Sequence, residues 1–389
     1  VLRGSRPVDG NRPGTNHVAL RAVNERLVLA LIRTHGSLSK AQLAELSGLA
    51  AQTASVISRS LIEAGLLLAG SPVRGKVGQP YVPLSLNPTG ASFLGVHVDK
   101  REIRTAHVNF VGEVISETVA PMGDPDLDQL IKHVQERAGQ IREQCDPDER
   151  TRFQAIGVSI ANGSFCGERS SVAWDQIETS LHQLGRSLDL PVTVSSDALA
   201  ACSAELIYGL GPTVPDFLYV FLDDAVGGGL VQDRRIRFSR DETGPNLGKL
   251  LVPSGKARPT QLKNLAIGND GDANSIGQLA EGIAYAITNC AALIPCQSVI
   301  VDGPLPAHKL RLVMAKLRSA IAQLNVLDAA DITAREGSMA RKSIAMGAAC
   351  LPLLDRYYPD EQSSHARTAE RRPSDGSLRI LPSPAINSE

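Results

Sequence analysis

The chain has 389 residues, 43% hydrophobic and 21% charged, with a formal net charge of −1. That length exceeds one ordinary core, so two or three domains are expected, and the composition is globular rather than disordered or fibrous. No apolar run reaches the ~18 to 20 residues that span a bilayer. The N-terminal residues lack an apolar signal core, and the six cysteines form no C-x-x-C pair. The expectation is a cytoplasmic protein with reduced thiols, no membrane contact, no metal and no cofactor.

Charge is unevenly spread. Residues 1–85 hold ten basic and four acidic side chains, a formal +6, which leaves about −7 for the remainder. A basic segment on an acidic body fits a polyanion partner, although a solvated basic surface would look the same by charge alone.

Residues 1–17, rich in Arg, Pro, Gly and Asn, read as a flexible tail. Val23, Leu27, Leu31 and Ile32 recur at helical spacing and predict a helix from about Leu20 to Thr34. Ser39-Lys40-Ala41-Gln42 is a capping box that starts a second, short helix with Leu43 and Leu46 inward. Ser47-Gly48-Leu49 is a tight turn. A third helix follows from Ala51 to about Gly65, with Ala54, Ile57, Leu61 and Ala64 on one stripe and Gln52, Thr53, Ser55 and Arg59 on the other face.

Helix, short helix, glycine turn and polar third helix make a helix-turn-helix, whose last helix reads the major groove. Leu66–Leu68 and Val82–Leu86 predict two strands around a basic, glycine-rich tip, Gly70 to Pro80, which reads as a wing. Residues 18–88 are therefore a candidate winged helix, with Ser39, Gln52, Thr53, Ser55, Arg59, Arg74, Lys76 and Gln79 as candidate DNA contacts.

From Phe93 the pattern changes to strand hairpins mixed with strand–helix alternation, which predicts an α/β body in two lobes over residues 89–358. Strands are expected at 93–98, 103–108, from 112, 155–160, 192–194, 217–222, 229–231 and 298–301. Helices are expected at Asp197–Tyr208 and around Ile276–Leu293, with further helices to about Tyr358. Residues 359–389, rich in Ser, Arg, Glu and Pro, read as a disordered tail. Gly227-Gly228-Gly229, just after an apolar strand, reads as a tight strand-to-strand turn.

The order and spacing of several short stretches resemble the ROK family, whose repressors join a winged helix to a sugar-kinase-like body of the actin/hexokinase fold. They are Leu61–Leu67, Gly78-Gln79-Pro80 with Leu84–Pro88, Leu94–Val98, Ser196-Asp197-Ala198, Val226–Val231 and Val299–Pro304. The resemblance implies a transcriptional regulator, a repressor, acting as a homodimer or higher homo-oligomer on a two-fold symmetric DNA operator with a sugar-like effector. The alternatives are a ROK sugar kinase with an added DNA-binding domain, and a DNA-binding protein without an effector.

Departures from the family's pattern point away from the kinase. Where the family has D-x-G-G-T-K, this chain has Asp99-Lys100-Arg101-Glu102, without the glycine that lets backbone approach phosphate. Where it has G-T-G before the three glycines, this chain has Asp223-Asp224-Ala225. Carboxylates there would repel a triphosphate, each contact costing on the order of 1 to 4 kcal/mol at 4 Å. The family's G-H and C-x-C-G-x-x-G-C zinc segment falls on Gly248-Lys249 and residues 252–259, which contain no cysteine. Asp197 matches the family's sugar-contacting base, and its role here stays open between effector contact and helix scaffold. Asn162, Gly163, Trp174, Asp197, Asn246 and Lys249 are the candidate effector residues, and no catalytic residue is expected.

Overall fold

The computed structural model describes residues 13–74, 80–122, 126–161, 164–167, 170–237, 247–253, 258–265, 273–294, 296–324, 332–339 and 344–359. The N-terminal unit runs α1 (Pro13–His35), β1 (Ser37–Leu38), α2 (Lys40–Ser47), α3 (Ala51–Glu63), β2 (Leu67–Ala69) and β3 (Leu84–Leu86). The described part of the first helix runs from Pro13, inside the segment read as a tail. The capping box forms as expected: the Ser39 hydroxyl accepts from the Gln42 N–H, and the Gln42 side chain accepts from the Ser39 N–H. Gly48 ends α2 in the left-handed conformation, φ 68°. Ala54, Ile57 and Leu61 are buried on α3 as expected, but Ala64 is exposed and Ser58 takes the inner position, its hydroxyl bonded to the Ala54 carbonyl.

β1, β3 and β2 form a three-stranded antiparallel sheet in that order. Two residues of β1 are too few to show a period of two, so the sequence reading has no strand there. Val28, Ile32, Leu43, Ile57, Leu61, Leu67 and Leu84 of this unit share one core with Phe93, Phe110, Ala345 and Leu353 of the body. The change in sequence pattern near residue 88 is therefore not a gap in the core.

The first lobe holds β4 (Ser92–Val98), β5 (Glu102–Asn109), β6 (Val114–Pro121), α4 (Leu127–Gln144), α5 (Pro147–Arg152), β7 (Phe153–Ile160), the short pair β8 (Cys166–Gly167) and β9 (Ser170–Ser171), α6 (Trp174–Leu188) and β10 (Val192–Ser196). Its five-stranded sheet runs β10-β7-β4-β5-β6, with β4 parallel to β7 and antiparallel to β5. Next comes α7 (Asp197–Tyr208), with the bounds read from the sequence.

The second lobe holds β11 (Phe217–Leu222), β12 (Val226–Gln232), β13 (Arg235–Ile236), β14 (Leu251–Val252), β15 (Thr260–Gln261), α8 (Ala273–Leu293), β16 (Ser298–Asp302), α9 (Ala307–Leu324) and β17 (Thr333–Glu336). Its sheet runs β13-β12-β11-β16-β17. The last helix among the described residues, α10 (Ile344–Tyr357), joins the core shared by the first lobe and the winged helix.

One expectation is overturned here. Gly227, Gly228 and Gly229 are not a turn but lie inside β12, paired antiparallel with Phe221, Val220 and Tyr219. Residues 223–225 make the turn instead. A Cβ on Gly227 would sit 2.6 Å from the Ala198 Cβ, and one on Gly229 would sit 2.8 Å from the Cys202 Sγ. On the other face, a Cβ on Gly228 would sit 2.5 Å from the Tyr219 carbonyl oxygen and 3.1 Å from the Leu247 Cβ. Gly227 and Gly229 are there because α7 packs directly on the strand, and Gly228 because Leu247 and the Tyr219 carbonyl crowd its other face.

Candidate DNA interface and inter-lobe cleft

On α3, Gln52, Thr53 and Arg59 are exposed and Ser55 is half-buried, while Ala54, Ile57, Ser58 and Leu61 anchor the helix from beneath. Val56 shares the outer face and is 53% exposed. A polar face interrupted by one apolar side chain can bond base edges and also meet a thymine methyl. Arg21 of α1 donates from Nη2 to the Ser60 hydroxyl (2.7 Å) and from Nε to Glu25 (2.9 Å), which ties the first helix to the third.

Ser39 departs from its expected place. It is buried, and its hydroxyl is engaged as the cap of α2, so it positions that helix instead of presenting a polar group outward. Arg74 is exposed beside the Val73–Tyr81 bridge that continues the β2–β3 hairpin. Lys76 and Gln79, at the tip, lie outside the described residues.

In the body, Asp197 is the first residue of α7 and is buried. Its Oδ1 accepts from the Ala198 N–H at 2.6 Å, while the cap proper is Ser196, whose hydroxyl accepts from the Leu199 N–H. The helix start thus uses both side chains, as free N–H groups at an N-terminus require. Trp174 opens α6 and is 38% exposed. Lys249 is exposed at the end of the short 3-10 turn Leu247–Lys249. Because Leu247 lies over Gly228 and α7 lies over Gly227 and Gly229, Asp197 and Lys249 belong to elements on opposite faces of β12. Asn162, Gly163 and Asn246 lie outside the described residues.

The two turns at the family's phosphate-loop positions meet across the lobes. The β4–β5 turn is closed by a bond from the Asp99 N–H to the Glu102 carbonyl (3.0 Å). From it, Lys100 Nζ reaches Asp224 Oδ2 in the β11–β12 turn at 2.7 Å. The hydrogen bond to Asp224 raises the Lys100 pKa, and burial followed by the neighbouring carboxylates raises that of Asp223. Sequence reading treats the two turns separately and has no signal that they touch. Lysine facing an aspartate across 124 residues is visible only in three dimensions.

Among solved structures, a ROK family transcriptional regulator, a homologue of E. coli Mlc, matches with a TM-score of 0.67 over 87% of this chain and 97% of its own, at 20% identity. This is the fold of a ROK family regulator. A ROK glucokinase from Streptomyces griseus, in complex with glucose and AMPPNP, matches with a TM-score of 0.52 over 67% of this chain and 99% of its own, at 16% identity. The regulator match extends over more of the chain than the kinase match. Among curated relatives, the xylose repressor of Caldicellulosiruptor bescii is 25% identical over 230 residues, 57% of this chain and 56% of that protein. The chain spans about half the length of the curated relatives it matches. No family model matches it. Among the described residues, no helix is long and apolar enough to cross a membrane.

Proposed function

We propose that the protein is a ROK-type transcriptional regulator, a repressor, that binds a two-fold symmetric operator as a homodimer and responds to a sugar-like effector. The observation that carries this reading is α3. Its exposed Gln52, Thr53 and Arg59 stand on a helix held rigid by a capped neighbour, a glycine turn and a core continuous with the body. Rigid presentation matters because base-edge hydrogen bonds discriminate only at fixed geometry. The names of the relatives, a xylose repressor among them, support a sugar-responsive role.

The same reading holds that the body is not a sugar kinase. Phosphoryl transfer needs backbone donors and cations around the phosphates, whereas the two facing turns carry Asp99, Asp223 and Asp224, with Lys100 committed to Asp224. Asp197 is the remaining kinase-like group, and its carboxylate accepts from the helix start.

Selection of random duplexes by the purified protein tests the reading. Enrichment of a palindromic sequence, bound with an affinity that falls steeply with salt, is expected. No enrichment, or ATP-dependent hexose phosphorylation abolished by Asp197→Asn, would sink it.

A further inference from the structure

Arg33 sits near the end of α1, at the seam between the winged helix and the body. Its Nη1 donates to the Phe110 carbonyl at 2.8 Å and to the Tyr208 hydroxyl at 3.2 Å. The guanidinium also lies over both rings, 4.8 Å from the Phe110 centroid and 5.6 Å from that of Tyr208. A planar cation gripped by two rings and two acceptors has a defined orientation, which a lysine could not reproduce. Burial holds the Tyr208 phenol protonated, above its ordinary value.

Tyr208 is the last residue of α7, and Asp197 is its first. Twelve residues make a rod of about 18 Å. All but its last residue are buried, and its near face lies against Gly227 and Gly229 with no room for a Cβ. At the far end, a Cβ on Gly112 (φ +93°) would lie 2.5 Å from the Tyr208 ring, so the β5–β6 turn is pressed on the tyrosine from the side opposite in sequence. Close packing on these sides leaves α7 little freedom to bend or slip locally, so a displacement at one end is carried to the other.

We infer that α7 is the coupling element between the body and the DNA-binding unit, and that Arg33, through Tyr208, is the positioning residue that passes its displacement to the winged helix. The start of the motion, an effector at the Asp197 end, rests on the function proposed above; the mechanical link does not. Coupling of this kind is reciprocal, so a change made at Arg33 must be felt at the Asp197 end of α7.

Hydrogen exchange on the full chain reads this directly. Arg33→Met keeps an unbranched apolar side chain and removes the donors. It should speed exchange of the α1 amides 29–35 and also, by about tenfold, of the α7 amides 200–203, which do not touch Arg33. Tyr208→Phe keeps the ring and loses the acceptor, and should give the same pattern more weakly; Arg33→Lys should not restore the wild-type pattern. Arg26, which donates to the Arg356 carbonyl at 3.1 Å, is the control, because it ties α1 to α10 and not to Tyr208. Arg26→Ala should loosen α1 without the tenfold change at 200–203. Unchanged exchange at 200–203 in Arg33→Met, or the same change in Arg26→Ala, would overturn the inference. With a duplex selected by the wild type, DNA should slow exchange at 200–203 in the wild type and not in Arg33→Met. If no duplex is selected, the proposed function falls while the DNA-free exchange result still decides the coupling.

Discussion

Substituting Gly227 with alanine separates two explanations of the triple glycine. The new Cβ would lie 2.6 Å from the Ala198 Cβ. Carbon atoms rest at ~3.5 to 4.0 Å, so the contact is short by roughly 1 Å. Neither atom can rotate away, because each is fixed directly to backbone. Relief requires α7 or β12 to shift, and overpacking of this kind costs about 1 to 3 kcal/mol. Urea unfolding of the full chain, followed by far-UV circular dichroism, should show Gly227→Ala destabilised by that amount.

Ala198→Gly removes the opposing Cβ and by itself should cost about 1 kcal/mol through helix propensity. The double variant should then be more stable than the sum of the two losses allows, by at least about 1 kcal/mol of favourable coupling. If Gly227→Ala is neutral, or if the losses simply add, the close approach of α7 is not why glycine stands there.

Three further outcomes are expected. Arg59→Ala and Gln52→Ala should each weaken binding to a selected duplex by about 1 to 3 kcal/mol without altering the unfolding curve, whereas Arg74→Ala should mainly reduce the salt dependence. Gel-shift titrations at several salt concentrations check both. Ser39→Ala should lower stability by about 1 kcal/mol through loss of the α2 cap, and should alter DNA affinity only as far as that loss unfolds the helix-turn-helix.

The third concerns pH. Burial lowers the pKa of His97 to about 4, against the partly opposing charge of Asp99, and lowers that of His107 to about 4 with help from Arg137. Both are then neutral in the folded chain and take up protons on unfolding at any pH between 4 and 6.5. Stability from these groups is present above 6.5 and is lost as pH falls towards 4, by up to roughly 3 kcal/mol for each. Replacing His97, which bonds Ser159 at 3.0 Å, with Gln should flatten that limb of the stability–pH curve; an unchanged slope would show that His97 does not titrate there.

The candidate DNA interface was largely legible because its signals are local. The Ser39–Gln42 box, the Gly48 turn and the α3 stripe each depend on residues within one or two turns of one another, and backbone hydrogen bonding fixes what they form. Even there, tertiary context corrected details. Ser39 spends its hydroxyl on the cap, and Ala64 lies beyond the packed stretch of α3. The strand at Ser37–Leu38 exists only because β3 lies beside it.

The body is legible as strands and helices, and α7 lies where the sequence places it, at about Asp197 to Tyr208, since a polar cap and a Gly stop frame an apolar run. The role of its glycines was not. Three glycines look alike in sequence whether they turn the chain, cradle an anion or admit a helix, and only the position of Ala198 and Cys202 decides.

Composition, capping chemistry and hydrophobic period thus determined which elements this chain forms, and where the winged helix begins to differ from the body. The meeting of Lys100 with Asp224, and the seating of Arg33 between Phe110 and Tyr208, came only from the tertiary structure. Those pairs are separated by 77 to 175 residues, and no local preference of either partner encodes the other's position. Burying the shared apolar core sets the seam at which Arg33 meets its partners, and the packing of the two lobes brings the Lys100 and Asp224 turns together.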